Sequence, residues 1–162
     1  MIDYPNRKVV SFRFLTEDGH FNGDAFREKV EDILTRQRNI VIILNGIANN
    51  PTGYCMSVEE WQAAVDVLKN AVEGKDKNAV LVPDVAYLDY SGEKQECRRF
   101  FKVFGGLPKN ILTIVAYTLS KGFTLYGQRQ GAMIGITSDA DVAKEFVDIN
   151  QYASRATWSN CN

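Results

Sequence analysis

The 162-residue chain has one histidine, three cysteines and four prolines, and its formal net charge is -1. Each scarcity excludes something. With His20 as the sole imidazole, a Ser-His-Asp or Cys-His hydrolase would have to use that residue as its base. His20 ends Glu17-Asp18-Gly19-His20, a cluster that predicts a surface turn. Cys55, Cys97 and Cys161 are odd in number and widely spaced, which suits neither a disulfide framework nor a zinc site. Reduced thiols in a cytoplasmic protein are expected. A balance of 19 basic and 20 acidic residues offers no footprint for nucleic acid or a membrane surface. No apolar run approaches the roughly 20 residues that cross a bilayer. Met1-Ile2-Asp3-Tyr4-Pro5 lacks the charged-then-apolar form of a signal peptide.

What is present is an ordinary globular mixture, 45% hydrophobic and 24% charged, long enough for one domain with a real core. Val9 to Phe14 reads as a short strand. Asn22 or Asp24 starts a helix to about Arg36, with Phe26, Val30, Ile33 and Leu34 on one face. Ile40 to Leu44 is fully apolar and predicts a central strand covered on both faces. Ser57-Val58-Glu59-Glu60 is a capping box, opening a helix to about Val72 with Trp61, Val65, Leu68 and Val72 inward. Ala79 to Val82 is another strand. Residues 92 to 106 predict a helix and a Gly105-Gly106 turn. The apolar runs Ile111 to Ala116 and Ala132 to Ile136 read as buried strands, and Ser138 or Asp139 caps a last helix with Val142, Phe146 and Ile149 on one side. Alternating strands and helices predict an α/β fold: an open, mostly parallel sheet with helices on both faces.

Ligands of such sheets bind at the carboxyl ends of the strands. Asn50 follows the strand ending at Leu44, Asp84 the one ending at Val82, and Thr118, Ser120 and Lys121 the one ending near Ala116. Taken singly, Asn50-Pro51 also reads as a turn, Asp84 as a turn cap, Tyr87 as a half-buried aromatic and Lys121 as a solvated loop residue. The stretch from Thr118 to Gly131 holds two hydroxyls, Lys121, Arg129 and glycines at 122, 127 and 131. An amine partly withdrawn from water is a better nucleophile towards a carbonyl, and hydroxyls with an arginine suit a phosphate.

Asn50-Pro51-Thr52-Gly53, Asp84-Val85-Ala86-Tyr87 and Thr118-Leu119-Ser120-Lys121 with Arg129 and Gly131 occur in the order and at the separations of the class I/II aminotransferases. The chain resembles these fold-type I enzymes, which use pyridoxal 5'-phosphate (PLP), and the aspartate and aromatic branch in particular. The resemblance implies a transferase moving an amino group between an amino acid and a 2-oxo acid. It implies that Lys121 forms the Schiff base and shuttles the substrate's α-proton. Asp84 would face the pyridine nitrogen, Tyr87 and Asn50 the phenolic oxygen, and Thr118, Ser120 and Arg129 the phosphate. Arg155, by its spacing to Ser159-Asn160, matches an arginine that reaches the substrate side chain in the partner subunit of a homodimer. Departures from the family pattern are Thr118 where serine is common, Asn45-Gly46-Ile47-Ala48 before the asparagine motif, and Cys161 where proline often stands.

The resemblance covers the middle of the family's large domain, so 1-162 is expected to be a single partial domain. The glycine-containing phosphate loop, the aromatic residue on the pyridine ring and the small domain with its carboxylate-binding arginine have no counterpart here. A fragment with weak PLP binding and little turnover is the expectation. A PLP-dependent lyase on the same fold and a non-catalytic PLP-sensing domain are the alternatives, because these motifs serve the cofactor more than the reaction. A dinucleotide or nucleotide domain is disfavoured, since no Gly-rich phosphate loop follows a strand.

Overall fold

A computed structural model describes residues 8-157. Helix α1 (Gly23–Arg36) begins where Asn22 Oδ1 accepts the amide of Ala25 at 3.0 Å, satisfying a donor that the first turn leaves unpaired. Its buried residues, Phe26, Val30 and Leu34, recur every four positions and pack on α2 (Val58–Val72). Helix α2 starts with the expected capping box: Ser57 Oγ accepts the Glu60 amide, and the Glu60 carboxylate accepts the Ser57 amide. It ends at Glu73, where Gly74 takes a φ of 68° that favours glycine.

Four strands form one sheet in sequence order: β1 (Asn39–Leu44), β2 (Asn78–Pro83), β3 (Ile111–Thr118) and β4 (Gly131–Ile136). The first three are parallel and β4 is antiparallel to β3. Ile40, Ile42, Leu44, Ala79, Leu81, Ile111 and Val115 point from one face into the core with α1 and α2. Trp61 of α2 is fully buried there, stacked on Phe100 at 5.3 Å and edge-on to Phe104 at 5.7 Å. Burying a large apolar side chain contributes about 1.5–3 kcal/mol, so this layer carries much of the hydrophobic stabilisation.

Among the described residues, α4 (Ala140–Thr157) is the helix on the opposite face. Its Phe146 lies over Gly135, where a Cβ would come within 2.8 Å of the ring. Gly135 pairs with Ile114, which alternates with the core residues Thr113 and Val115, so α4 covers the other side of the sheet. Helices therefore lie on both faces. Asp139, not Ser138, caps α4: its Oδ1 accepts the amides of Asp141 and Val142.

Four expectations need correction. Strand β1 is an edge strand with one bare face, Val41 being 66% and Ile43 72% exposed. An apolar run records that both faces avoid water, but the described residues supply a cover for one only. Strand β4 is likewise exposed at Met133 and Ile134 rather than buried. Residues 9-14 form no strand; the chain makes only a bridge between Leu15 and Phe21 around the His20 turn. The helix expected within 92-106 is reduced to turns and a 3-10 helix, Arg99–Phe104, that drives Phe100, Val103 and Phe104 into the core. Cys55 and Cys97 are free thiols, and Cys161, like Ser159-Asn160, lies outside the described residues.

Candidate active site at the strand ends

Strands β1, β2 and β3 run parallel, so their carboxyl ends open on one edge, and the motif residues gather there. Asp84 follows β2 directly. Its amide donates to Leu44 O at 3.1 Å, and the next amide, that of Val85, donates to Ala116 O at 3.1 Å. The residue is thus held between the ends of β1 and β3. Both carboxylate oxygens are engaged: Oδ2 accepts Asn45 Nδ2 at 3.0 Å and Oδ1 accepts the Ala86 amide at 3.0 Å. A half-buried carboxylate fixed by two donors has one orientation, and its remaining lone pairs can accept from a further group.

Asn45 joins this carboxylate to the asparagine loop. Its Oδ1 accepts the Asn50 amide at 3.3 Å, and its backbone oxygen accepts Asn49 Nδ2 at 2.8 Å. The loop closes on itself through Gly53 N to Asn49 O at 2.6 Å, with a cis peptide at Asn50-Pro51. Asn50 itself is exposed.

Lys121 lies in a single helical turn, α3 (Leu119–Gly122), that follows β3 without a loop. Thr118 caps it, its Oγ1 accepting the Ser120 amide at 3.1 Å, which occupies part of the hydroxyl expected for a phosphate. Ser120 is buried. Leu119 N donates to Gln130 O at 3.1 Å, closing the arch between β3 and β4. The Lys121 ammonium sits between two rings, 5.5 Å from the centroid of Tyr87 and 4.8 Å from that of Tyr126. The ring faces attract the cation and fix the direction of the side chain. Arg129 follows the 3-10 turn Tyr126–Gln128 in the left-handed region, φ 55°, and Nη1 donates to Tyr126 O at 3.2 Å. Its side chain is otherwise towards solvent.

Asn50, Asp84, Tyr87, Thr118, Ser120, Lys121 and Arg129 therefore share one sheet edge, linked through Asn45 on one side and Tyr126 on the other. Arg155 does not join them. It stands exposed in the last turn of α4, beside Asp148, Gln151 and Tyr152 on the same helix. A cavity of about 150 Å³ lined by Cys55, Cys97, Met56 and Phe100 lies off the Lys121 cluster and includes none of its residues. Sequence reasoning missed Tyr126 as an amine neighbour and Asn45 as the link. Asn45 stands five residues before Asn50, and no local pattern marks an asparagine there as a carboxylate partner.

An amine on the first turn after β3 thus shares its sheet edge with a carboxylate fixed at the end of the neighbouring parallel strand β2. The family model "Aminotransferase class I and II" matches residues 2-160. The chain belongs to the class I and II aminotransferase family. It is 30% identical over 139 residues to the mitochondrial aspartate aminotransferase P2 of Lupinus angustifolius, covering 85% of this chain and 29% of that protein. With an aspartate aminotransferase of Pseudomonas aeruginosa it shares 26% identity over 152 residues, covering 94% of this chain and 36% of the relative. Among solved structures, an aminotransferase from Anaerococcus prevotii superposes with a TM-score of 0.89 at 39% identity, over 93% of this chain and 37% of that one. The chain thus spans about a third of the length of the relatives it matches.

Proposed function

We propose that this chain is part of the PLP-binding large domain of an aminotransferase that exchanges an amino group between an amino acid and a 2-oxo acid. The observation that carries the reading is the Lys121 amine held between Tyr87 and Tyr126 on the edge that also bears the doubly bonded Asp84. A solved aromatic-amino-acid aminotransferase of Burkholderia pseudomallei with the same fold, TM-score 0.75, is described as covalently bound to pyridoxal phosphate.

The donor set fits that group. An amine for the aldehyde, an oriented carboxylate for the ring nitrogen, and a guanidinium with hydroxyls for the phosphate stand on one edge. Bound PLP supplies an electron sink for the charge left on a substrate carbon. In this reading Asp84 would keep a proton on the ring nitrogen, and Asn45 would fix the carboxylate's orientation. Asn50 and Tyr87 donate to the ring oxygen. Arg129, Ser120 and Thr118 would hold the phosphate, Thr118 by turning its hydroxyl proton from Gln130 O, to which it donates at 3.4 Å. Lys121 Nζ would bind the aldehyde carbon and would serve as the base that carries the substrate's α-proton. Tyr87 and Tyr126 limit its swing to the space between their rings.

In this reading Arg155, exposed in the last turn of α4, would serve the site of the other subunit of a homodimer. The free thiols Cys55 and Cys97 favour a cytoplasmic setting, and a relative from Caenorhabditis elegans is named a cytoplasmic aspartate aminotransferase. The test is PLP addition to the 162-residue chain, borohydride reduction and peptide mapping. An adduct concentrated at Lys121, absent from Lys121→Ala and weaker with phosphate-free pyridoxal, is expected. Labelling spread evenly over the surface lysines would sink the assignment.

A further inference from the structure

The turn after Tyr87 does more than present that ring. Asp89 and Tyr90 lie on its 3-10 segment, Leu88–Tyr90. Tyr90 Oη donates to the backbone oxygen of Lys121 at 2.8 Å. Asp89 Oδ2 accepts Tyr117 Oη at 2.7 Å, and Oδ1 accepts Arg98 Nη2 at 2.8 Å. The same carboxylate lies flat against Gly122: a Cβ built there would overlap Oδ2 and come within 3.2 Å of Tyr117 Oη. Residue 122 is therefore glycine because a carboxylate occupies the place of its side chain.

Two adjacent residues thus grip the carbonyl of Lys121 and the residue after it, while Thr118 caps the turn before it. We propose, on the reading that Lys121 is the reacting amine, that Asp89 and Tyr90 are positioning residues which set where that amine stands. The turn that carries Tyr87, whose ring faces the ammonium, also holds the lysine's backbone. Tyr90 N donates to Tyr87 O at 2.9 Å, so ring and backbone grip are carried by one hydrogen-bonded turn. Arg98 fixes the far oxygen of Asp89 and keeps the carboxylate from rotating off Gly122. Neither residue is part of the core. Tyr90 is 61% exposed, and the Asp89 side chain is 31% exposed. Their removal therefore costs the fold little, and a local effect on Lys121 can be separated from a global one.

The experiment uses the whole chain and three variants, Tyr90→Phe, Asp89→Ala and Asp89→Asn. Each is incubated with PLP across pH 6 to 9 on the order of the physiological range, quenched with borohydride at intervals, and mapped lysine by lysine. Thermal melts report the fold. Trapping at Lys121 is expected to slow by roughly tenfold in Asp89→Ala and by about threefold in Tyr90→Phe, the scale that small displacements of a reacting group produce. Trapping at the exposed Lys94 and Lys144 stays at the wild-type rate. Asp89→Asn recovers part of the loss, because its amide oxygen still accepts from Tyr117. Variants that melt like the wild type and trap at Lys121 at its rate would overturn the proposal. Should Asp89→Ala fail to fold, Tyr90→Phe, which removes one oxygen from the surface, decides. A wild-type chain that is not trapped at Lys121 removes the reading of that lysine as the reacting amine, and this proposal with it. The wild-type result thus judges the function, and the ratio of variant to wild type judges the positioning.

Discussion

Asn45 donates from Nδ2 to Asp84 Oδ2 at 3.0 Å and accepts the Asn50 amide on Oδ1, so one side chain ties the end of β1 to the carboxylate after β2. Hydrogen bonds to a charged group contribute about 1.5–3 kcal/mol, twice the neutral figure. Asn45→Ala frees Asp84 to turn and leaves the Asn50 amide unpaired. PLP affinity of the chain, read from its visible spectrum, is expected to fall by about tenfold on that scale. Asn45→Asp places a second negative charge against Asp84 and is expected to be worse than alanine. Equal affinities in all three proteins would remove Asn45 from the site.

Packing makes a sharper demand at Gly46. A Cβ there would stand 2.5 Å from Met56 Sδ and 2.7 Å from Trp61 Cζ2. Met56 is flexible, but the indole of Trp61 is wedged between Phe100 and Phe104 and cannot withdraw. Gly46→Ala is expected to lose about 1–3 kcal/mol in urea unfolding, the range for overpacked cores. Ser57→Ala, which removes half of the capping box of α2, is expected to lose about 1 kcal/mol. A Gly46→Ala chain as stable as the wild type would mean that the indole can move.

Acid and base act on opposite ends of one hydrogen-bonded pair. Tyr54 Oη donates to Glu60 Oε1 at 2.5 Å, and the Phe21 amide donates to both. Burial, then the Glu60 carboxylate, push the Tyr54 phenol up to about 12. Burial also pushes Glu60 up, but hydrogen bonds from Tyr54 and from the amides of Ser57 and Phe21 outweigh it and leave the carboxyl below its ordinary value. A raised phenol contributes stability that is complete below its unfolded value near 10 and is lost as pH rises through about 12. A lowered carboxyl contributes stability that is complete above its unfolded value and is lost as pH falls through the folded one. Melting temperature should therefore fall on both sides of neutrality. Tyr54→Phe should flatten the alkaline limb, and Glu60→Gln the acid limb. An alkaline limb unchanged in Tyr54→Phe would assign it to other groups.

Val41 and Ile43 stand side by side on the bare face of β1, with Met133 across the sheet. Exposed apolar area of this kind marks contact surface. Sedimentation of the chain is expected to show association that grows with concentration. Val41→Thr with Ile43→Thr, which keep strand-forming β-branched side chains, should reduce it. A monomer at all concentrations would show that the face tolerates water.

How far the sequence could be read depended on the range of the signal. Asn22, the Ser57 box and the four-residue spacing of Phe26, Val30 and Leu34 act within a turn or two, and α1 and α2 lie where these residues put them. The convergence of Asp84 and Lys121 was legible because parallel strands place their carboxyl ends together. Coverage was not legible: Ile40 to Leu44 looks the same whether one face or two are packed. Nor were contacts that join distant residues without a pattern. Tyr117 and Asp89 are 28 positions apart, and only the register of β3 beside the turn after β2 brings them together. Tyr126 escaped notice because an aromatic five residues after a lysine has no periodic meaning until Lys121 and Tyr126 share an arch.

That arch has a bearing on inheritance. Lys121 and Arg129 are eight residues apart on one connection between two antiparallel neighbours, β3 and β4, pinned at its base by Leu119 N and Gln130 O. Asp84 and Asn50 reach the same edge only through the register of three parallel strands. Amine and guanidinium are thus inherited together on one short stretch of chain, whereas Asp84 comes from a separate stretch and is brought to them by the backbone bonds that hold it between β1 and β3.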